Sequence, residues 1–186
     1  MTEDIPQDPE VREHSKAYRE DIRHIQLAID SPDEDTGSRV PGVAPSAFYV
    51  GSESCAGCHQ EDYKIWKESG HAHAFSSLVR TRSDGDPSCI QCHTVGFGEP
   101  SGYLRAMGGK RMVNVGCESC HGPGSEHIRL RSLAGPGEAI ALALRPVGPG
   151  QCVQCHHGEF SRPFSWDEFW PHIKHGGSKK TSSEEP

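Results

Sequence analysis

The chain has 186 residues, the size of one domain on a scale of about 100–200 residues per domain. Leu, Ile, Val and Phe make up 32 of the 186 residues, and the formal net charge is −7. So few large apolar residues, below about 20%, are typical of disordered chains and argue against an ordinary aliphatic core. The absence of an apolar run of about 18 residues argues against a membrane-spanning helix. The negative charge disfavours general nucleic-acid binding.

Most of the negative charge lies in the first 45 residues, which hold 11 acidic and 5 basic side chains. This acidic N-terminal arm contains five prolines, a composition typical of solvated tails. Residues 11–30 lack Pro and Gly, and apolar side chains recur there at helical spacing, which predicts an amphipathic helix. Its apolar face must pack either on the body of this chain or on a neighbouring molecule.

Gly and Pro divide the rest of the chain into short pieces. We therefore predict a mainly α-helical domain over residues 46–177, with extensive loops and little or no sheet, and a flexible tail over 178–186. Helices are predicted at 60–82, 125–133, 138–144 and 165–174, and the best strand signal lies at 111–115. The first residues carry neither the basic start nor the apolar stretch of a signal peptide.

All eight cysteines fall into four copies of the pattern C-x-x-C-H, the attachment signature of c-type haem. Two thiols two residues apart add to the two vinyl groups of one porphyrin, and the next histidine becomes the proximal iron ligand. Zinc sites and redox disulfides also use C-x-x-C, but they do not require a histidine after every pair. We predict four covalent haems on Cys55, Cys58, Cys89, Cys92, Cys117, Cys120, Cys152 and Cys155, with proximal ligands His59, His93, His121 and His156.

Four attached haems have consequences for the compartment and for the core. Covalent haem attachment takes place outside the cytoplasm, so we expect an exported protein that is periplasmic, at the cell surface or extracellular. Each porphyrin brings a large apolar surface, and its burial stabilises a fold as the burial of Leu does. The haems are therefore expected to form the core of the domain.

Eight histidines lie outside the motifs, whereas the chain has only three methionines. This surplus predicts that most irons take a second histidine, with lower potentials than histidine–methionine sites. The candidates are His14, His24, His71, His73, His127, His157, His172 and His175. His73 and His157 are secondary, because His73 points away from His71 on a helix and His157 directly follows a proximal ligand.

Several further stretches resemble the tetrahaem cytochrome c554 family over roughly residues 52–175. They are Trp66-Lys-Glu-Ser69-Gly-His71 after the first motif, Cys92-His93-Thr94-Val-Gly96 at the second, Val115 to His127 around the third, and Trp170-Pro-His-Ile173-Lys-His175 after the fourth. The resemblance implies a multihaem cytochrome c fold. It also implies that His71 ligates the iron of the third motif and that His127 ligates the iron of the fourth.

The chain departs from that family in the ligand of the first haem. The family carries this distal histidine between the second and third motifs, where the present chain has only Met107, Lys110 and Met112 as candidates. His175, which closes the pattern after the fourth motif, is an expected distal ligand with His172 as its competitor. The missing ligand is His175, one of the methionines, His14 or His24. His24 lies off the apolar stripe and is free to reach a neighbouring molecule, which would resemble the extracellular cytochrome filaments.

The leading hypothesis is an electron-transfer protein that exchanges electrons with redox partner proteins. One alternative is an enzyme that acts on a small nitrogen or sulfur compound at a five-coordinate haem, since the resemblance implies an open iron at the second motif. Another is the repeating subunit of a conductive filament that assembles through the N-terminal arm. The acidic arm favours a basic redox partner, and no glycine-rich nucleotide-binding loop is present.

Overall fold

The structure is a computed structural model that describes residues 8–29, 47–99, 101–104, 110–134, 144–145, 147–158 and 161–176. Within these ranges helices predominate, and strand-like pairing is limited to an isolated bridge between Thr94 and Val113. The predicted mainly α-helical architecture is confirmed, whereas the strand predicted at 111–115 is reduced to that bridge. Most of the helix predicted at 138–144 and the tail at 178–186 lie outside the described residues.

The described residues form one long helix and several short ones, joined by loops. None of the described helices is long and apolar enough to cross a membrane. In chain order the α-helices are α1 (Pro9–Ile29), α2 (Gln60–Glu68), α3 (Ala74–Thr81), α4 (Pro87–His93), α5 (Cys117–His121), α6 (Ser125–Leu133), α7 (Pro149–Cys152) and α8 (Trp166–Phe169). Turns of 3₁₀ helix occur at Ser52–Ser54, Gly70–His73 and Trp170–His172.

Helix α1 confirms the amphipathic helix predicted in the acidic arm. Asp8 caps it by accepting a hydrogen bond of 2.8 Å from the Glu10 backbone N–H. Its apolar face is only partly covered, because Val11 and Tyr18 are about 60% exposed (60% and 61%) while Ile22 is half-buried. Helix α1 therefore exposes both apolar and charged side chains at the surface.

The single helix predicted over residues 60–82 is divided into α2, a 3₁₀ turn and α3. The break lies at Ser69, whose hydroxyl donates a 2.6 Å hydrogen bond to the Trp66 carbonyl while its backbone is extended. Serine competes with helical hydrogen bonds in this way, and the following Gly70 carries a high entropic cost in a helix. As a result His71 is half-buried and Ala72 is buried, and α3 starts in a new direction.

Three of the haem-attachment motifs overlap short helices that the sequence analysis missed. Helix α4 starts with Pro87 after the capping side chain of Asp86, which accepts a hydrogen bond from the Ser88 backbone N–H. The proline before the fourth motif likewise starts α7, and the Gln151 side chain caps the Gly148 N–H at 2.8 Å. One helical turn places the two cysteines and the histidine of a motif close together, as attachment to one porphyrin requires.

A small side-chain core packs around α4. It consists of Leu78, Ile90, Val95, Tyr103 and Met112, and Ile90 is fully buried. Backbone hydrogen bonds of 2.8 Å join the Val95 N–H to the Met112 carbonyl and the Tyr103 N–H to the Val95 carbonyl. A Cβ atom on Gly102 would collide with the Gly96 carbonyl, so this packing requires glycine there.

Candidate haem-binding site

A large cavity lies between the first and third motifs. Its volume is about 1080 Å³, and it is lined by both cysteines and the histidine of each of these motifs. Apolar side chains, including Trp66, Ile128 and Ile173, form part of its wall. Ordinary small-molecule sites have volumes of about 300–1,000 Å³, so this cavity is large enough for a bulky apolar group. It lies apart from the side-chain core around α4, since the two share no residue.

All eight cysteines are free thiols, as haem attachment requires. The thiols of Cys55 and Cys117, which belong to the first and third motifs, form a hydrogen bond with each other. This bond and burial raise the pKa of Cys55 far above its ordinary range. The same hydrogen bond lowers the pKa of Cys117 to about 7. The first and third motifs are therefore neighbours in the folded chain.

The other motifs are also neighbours through their thiols. Burial raises the pKa of Cys120, and the nearby thiol of Cys152 adds to this effect. Burial raises the pKa of Cys155 to about 12, and a hydrogen bond to Cys92 is the second largest cause. The Cys92 thiol also donates a 3.9 Å hydrogen bond to the Gln154 carbonyl, so the second motif contacts the fourth. The thiols of the third and fourth motifs lie near each other, which gives the order first, third, fourth, second for neighbouring motifs.

Three motif histidines face histidines from outside the motifs. The ring centres lie 6.1 Å apart for His59 and His127, 6.0 Å for His71 and His156, and 5.9 Å for His121 and His175. Two imidazoles bonded from opposite sides to one metal at about 2 Å place their ring centres about 6 Å apart. Each pair therefore has the spacing needed to hold one iron between its rings.

The residues of the cavity fit covalently bound haem. The Nδ1 atom of His127 is buried without a hydrogen-bond partner in the structure, which is costly for a polar atom unless a further group binds it. This ring lines the same cavity as the thiols of the first and third motifs. In the described part of the chain, His, Cys, Asp and Glu do not converge in groups of three or more around a bare metal ion. Paired imidazoles beside paired thiols match c-type haem better than zinc.

The electrostatics of these pairs favour neutral imidazoles. Burial lowers the pKa of His71, His121 and His156, and nearby cationic groups add to the lowering. A neutral imidazole keeps a free nitrogen lone pair, which is the form that binds a metal. The same residues are therefore ready for ligation near neutral pH.

Hydrogen bonds orient several of the rings. The Nδ1 atoms of His93 and His175 donate to the carbonyl oxygens of Ala74 and Ile173, both at 2.7 Å. A carbonyl oxygen can only accept, so both rings carry a proton on Nδ1, and Nε2 is the nitrogen that is left to face a metal. Metal-ligating histidines are commonly oriented by such a second hydrogen bond.

The second motif differs from the other three. Among the described residues, no histidine ring is paired with His93, whose Nδ1 instead contacts the carbonyl of Ala74. Met112, a sequence candidate for a missing ligand, is buried in the side-chain core. Met107 lies outside the described residues, and Lys110 is exposed.

The other candidate ligands lie at the surface. His24 is exposed on α1, and its Nε2 lies 3.6 Å from a carboxylate oxygen of Glu20. The remaining four, which are also exposed, are His14, His73, His157 and His172. Their roles as ligands stay predictions, and the structure places none of them against a motif histidine within the described ranges.

The neighbours of two predicted ligands differ from those that the family resemblance implied. His71 lies beside His156 of the fourth motif rather than beside the third, and His127 lies beside His59 of the first motif rather than beside the fourth. This also provides a histidine for the first motif without a ligand between the second and third motifs. The pairing depends on how distant segments cross, which spacing along the chain does not encode.

Glu118 is a site residue that the sequence analysis did not single out. Its carboxylate is buried and accepts hydrogen bonds from the backbone N–H groups of Val50, Gly51 and Gly124, at distances from 2.7 to 3.1 Å. These bonds join the start of the domain to the third motif and to the first turn of α6, which carries His127. The sequence signal that could have revealed it is an acidic residue between the two cysteines of a haem-attachment motif, because a charge in such a place must be paired if it is buried.

Asp62 makes a second connection that the sequence analysis missed. One of its oxygens lies 3.4 Å from Nδ1 of His59, and the other accepts a 3.0 Å hydrogen bond from the Gly176 backbone. Gly176 follows His175 directly, so Asp62 links the first motif to the segment that supplies a histidine to the third. A carboxylate three residues after a motif histidine is a recognisable signal for such an orienting role.

Comparison with known proteins agrees with this geometry. Residues 54–122 match the family model described as cytochrome c554 and c-prime. Cytochrome c-554 of Nitrosomonas europaea is 34% identical over 97 residues, which are 44% of this chain and 41% of that protein. The C-type polyheme cytochrome OmcC of Geobacter sulfurreducens is 33% identical over 84 residues, which are 40% of this chain and 10% of that protein.

A solved structure shows the same fold. The reduced state of cytochrome c554 from Nitrosomonas europaea matches with a TM-score of 0.51 and 24% identity, covering 69% of this chain and 79% of the other. The sequence matches span less than half the length of the curated relatives. The chain shares the fold and the c-type haem attachment motifs of these relatives.

Proposed function

We propose that this chain, whose residues 54–122 match the cytochrome c554 family model, carries electrons between redox partners on four covalently bound haems. The observation that carries the proposal is the pairing of three motif histidines with three other histidines at ring-centre distances of about 6 Å. Bound haem supplies the one-electron chemistry, and the protein supplies the ligands, their orientation and the burial.

The proposed ligands follow from these pairs. His59 and His127 would hold the iron of the first motif, His121 and His175 that of the third, and the ring of His71 lies opposite the histidine of the fourth. Histidine on both sides gives lower potentials than methionine as the axial ligand. Because the thiols of neighbouring motifs lie near each other, the four groups would form a continuous series from the first motif to the second.

The proposal includes export and redox partner proteins. Haem is attached to c-type cytochromes outside the cytoplasm, so a periplasmic or cell-surface location fits four attachment motifs. Electron carriers work by transient docking, and the uneven charge of this chain would steer such encounters.

Counting the haems tests the proposal directly. The mass of the purified protein should exceed the mass of the polypeptide by four haem groups, and the pyridine haemochrome spectrum should give four haems per chain. The double variant Cys89→Ser and Cys92→Ser should lose one haem and keep the three low-spin signals of the histidine pairs. A holoprotein with fewer than four haems, or with no low-spin signal, would contradict the proposal.

A second function is favoured by the second motif, where no described histidine ring is paired with His93. There the protein would act on a small nitrogen or sulfur compound at an open iron. Electron paramagnetic resonance of the oxidised protein separates the two functions. A high-spin signal that changes with nitric oxide or nitrite supports the enzyme, while four low-spin signals favour the carrier over the enzyme.

Self-assembly through α1 is the third possibility, and the exposure of His24 is the observation in its favour. In that arrangement the histidine of one molecule would ligate an iron of the next. Replacing His24 and His14 separately by alanine should then remove a low-spin signal and change the size of the assembly. Unchanged spectra and an unchanged sedimentation coefficient would rule it out.

A further inference from the structure

A cleft of about 420 Å³ lies between α1 and the C-terminal end of α3. Its α1 wall carries three cations, Arg12, Lys16 and Arg19, which recur at helical spacing on one face. Its α3 wall carries Arg80 and Arg82. Cations therefore face each other across the gap, although the chain as a whole has a formal charge of −7.

Carboxylates near the cleft only partly balance these cations. Among the described residues that line it, Asp8 alone is acidic, and its carboxylate already accepts N–H groups of the first turn of α1. At the rim, Glu13 lies 3.9 Å from Lys16 and Glu20 lies 4.0 Å from Arg82. These ion pairs are long and solvent-exposed, so each contributes little. The facing cations repel each other, and a negatively charged partner would relieve that repulsion.

The cleft is next to the second motif. The Arg19 side chain donates a 3.5 Å hydrogen bond to the Thr81 carbonyl at the end of α3. Arg82 follows with a left-handed backbone (φ 56°), and the next turn leads to Asp86, which caps the helix that carries Cys89. The series of motifs therefore ends close to the cationic walls.

The conformation of Arg82 points to a role for its side chain. Glycine is the usual residue where a helix ends in a left-handed conformation, because other side chains are strained there. Here an arginine occupies this position at the edge of the cleft. A non-glycine residue kept in such a conformation often marks a functional site.

We propose that this cleft docks the acidic face of a redox partner protein beside the second motif. The proposal rests on the proposed function, because docking there serves electron transfer only if haem is attached at that motif. Arginine and tyrosine are enriched at protein interfaces, and α1 offers both, with Tyr18 and Val11 exposed beside the cations. The partner is opposite in charge to the basic partner that the acidic arm of the sequence suggests.

Binding to an acidic electron carrier tests the proposal. The full-length holoprotein is titrated by calorimetry with a plant-type [2Fe–2S] ferredoxin, an acidic protein, at several salt concentrations. Binding should weaken with salt, and the variant Arg12→Glu with Arg80→Glu should raise the Kd by at least about tenfold. Arg12→Lys with Arg80→Lys keeps the charge and should bind within about threefold of the unmodified protein.

The matched control reverses two exposed lysines outside the cleft, Lys64→Glu with Lys110→Glu, and should change the Kd by less than about threefold. An equal loss in this control, or no loss in the cleft variant, would overturn the proposal. Binding of inorganic phosphate at the cleft without binding of ferredoxin would overturn it as well. The visible spectrum of each variant reports haem loading, so failure of docking is distinguished from failure of haem attachment.

Discussion

Two regions of the described domain differ in how their interiors are built. We call the region around α4 the side-chain half and the region between the first and third motifs the cavity half. Around α4, Leu78, Ile90 and Val95 fill the interior with side chains and bury the second motif from one side. Between the first and third motifs, a cavity of about 1080 Å³ remains among thiols and imidazoles. Large apolar side chains thus fill the interior around α4, whereas the interior between the first and third motifs is a cavity lined by the attachment residues.

This difference explains why composition alone misleads. A fold with 32 large apolar residues in 186 is short of side-chain core, but porphyrin faces bury apolar surface in the same way. The side-chain core can pack without cofactor, whereas the cavity is complete only with it. The following predictions test whether the two halves respond separately, beginning with the largest effect.

Removing the haems should affect the cavity half most. Apoprotein prepared by cleaving the thioether bonds should be digested by protease at least about tenfold faster than holoprotein, because the burial of porphyrin, at about 25 cal/mol per Å², is lost. The first cuts, mapped by mass spectrometry, should fall in α2 and α6 rather than in α4. A compact apoprotein with unchanged protease resistance would contradict a haem-dependent interior.

Ile90→Ala should destabilise the side-chain core around α4. Ile90 is fully buried, so the cavity left by the substitution should lower the free energy of unfolding by about 2–5 kcal/mol. Val79→Ala, on exposed α3 surface, is the control and should change it by less than about 0.5 kcal/mol. Guanidinium unfolding followed by circular dichroism measures both, and equal effects would mean that α4 has no tight core.

Glu118→Gln should loosen the cavity half while leaving the side-chain core intact. Glutamine keeps one acceptor oxygen, but its NH2 group cannot accept, so the backbone N–H groups bonded to the other carboxylate oxygen lose their acceptor. This loss should cost about 1–3 kcal/mol of unfolding free energy. Because Gly124 is the residue directly before α6, which carries His127, the signal of the His59–His127 pair should also change in electron paramagnetic resonance. Glu68→Gln, at an exposed position of α2, should leave both stability and spectrum as they are.

Asp62→Asn should have the smallest effect, about 0.5–1.5 kcal/mol, the ordinary worth of one hydrogen bond. The change weakens the link from the first motif to Gly176 and so to His175, far from the side-chain core. The reduction potentials, measured by spectroelectrochemistry, should shift for the first and third motifs and stay constant for the second. A shift confined to the second motif would show that Asp62 does not act through these histidines.

Most of the helices can be predicted from local sequence patterns, but the positions at which a helix is interrupted cannot. The Val11-to-Ile29 periodicity predicted α1 correctly, since apolar spacing acts within a few residues, and the helix at Ser125–Leu133 was also predicted correctly. The long helix predicted at 60–82 was wrong at Ser69, where one side-chain hydrogen bond ended the helix. The helices within the motifs were missed because they are only one or two turns long.

The sequence by itself determined the chemistry, because haem attachment needs two thiols and a histidine that lie within five positions of the chain. It also determined that histidines would be abundant enough for most of the irons. Only the tertiary structure decided which histidine meets which motif, since His127 approaches His59 across 68 residues of chain. Such pairs depend on buried connections such as Glu118, and on segments that meet only when the whole domain has folded.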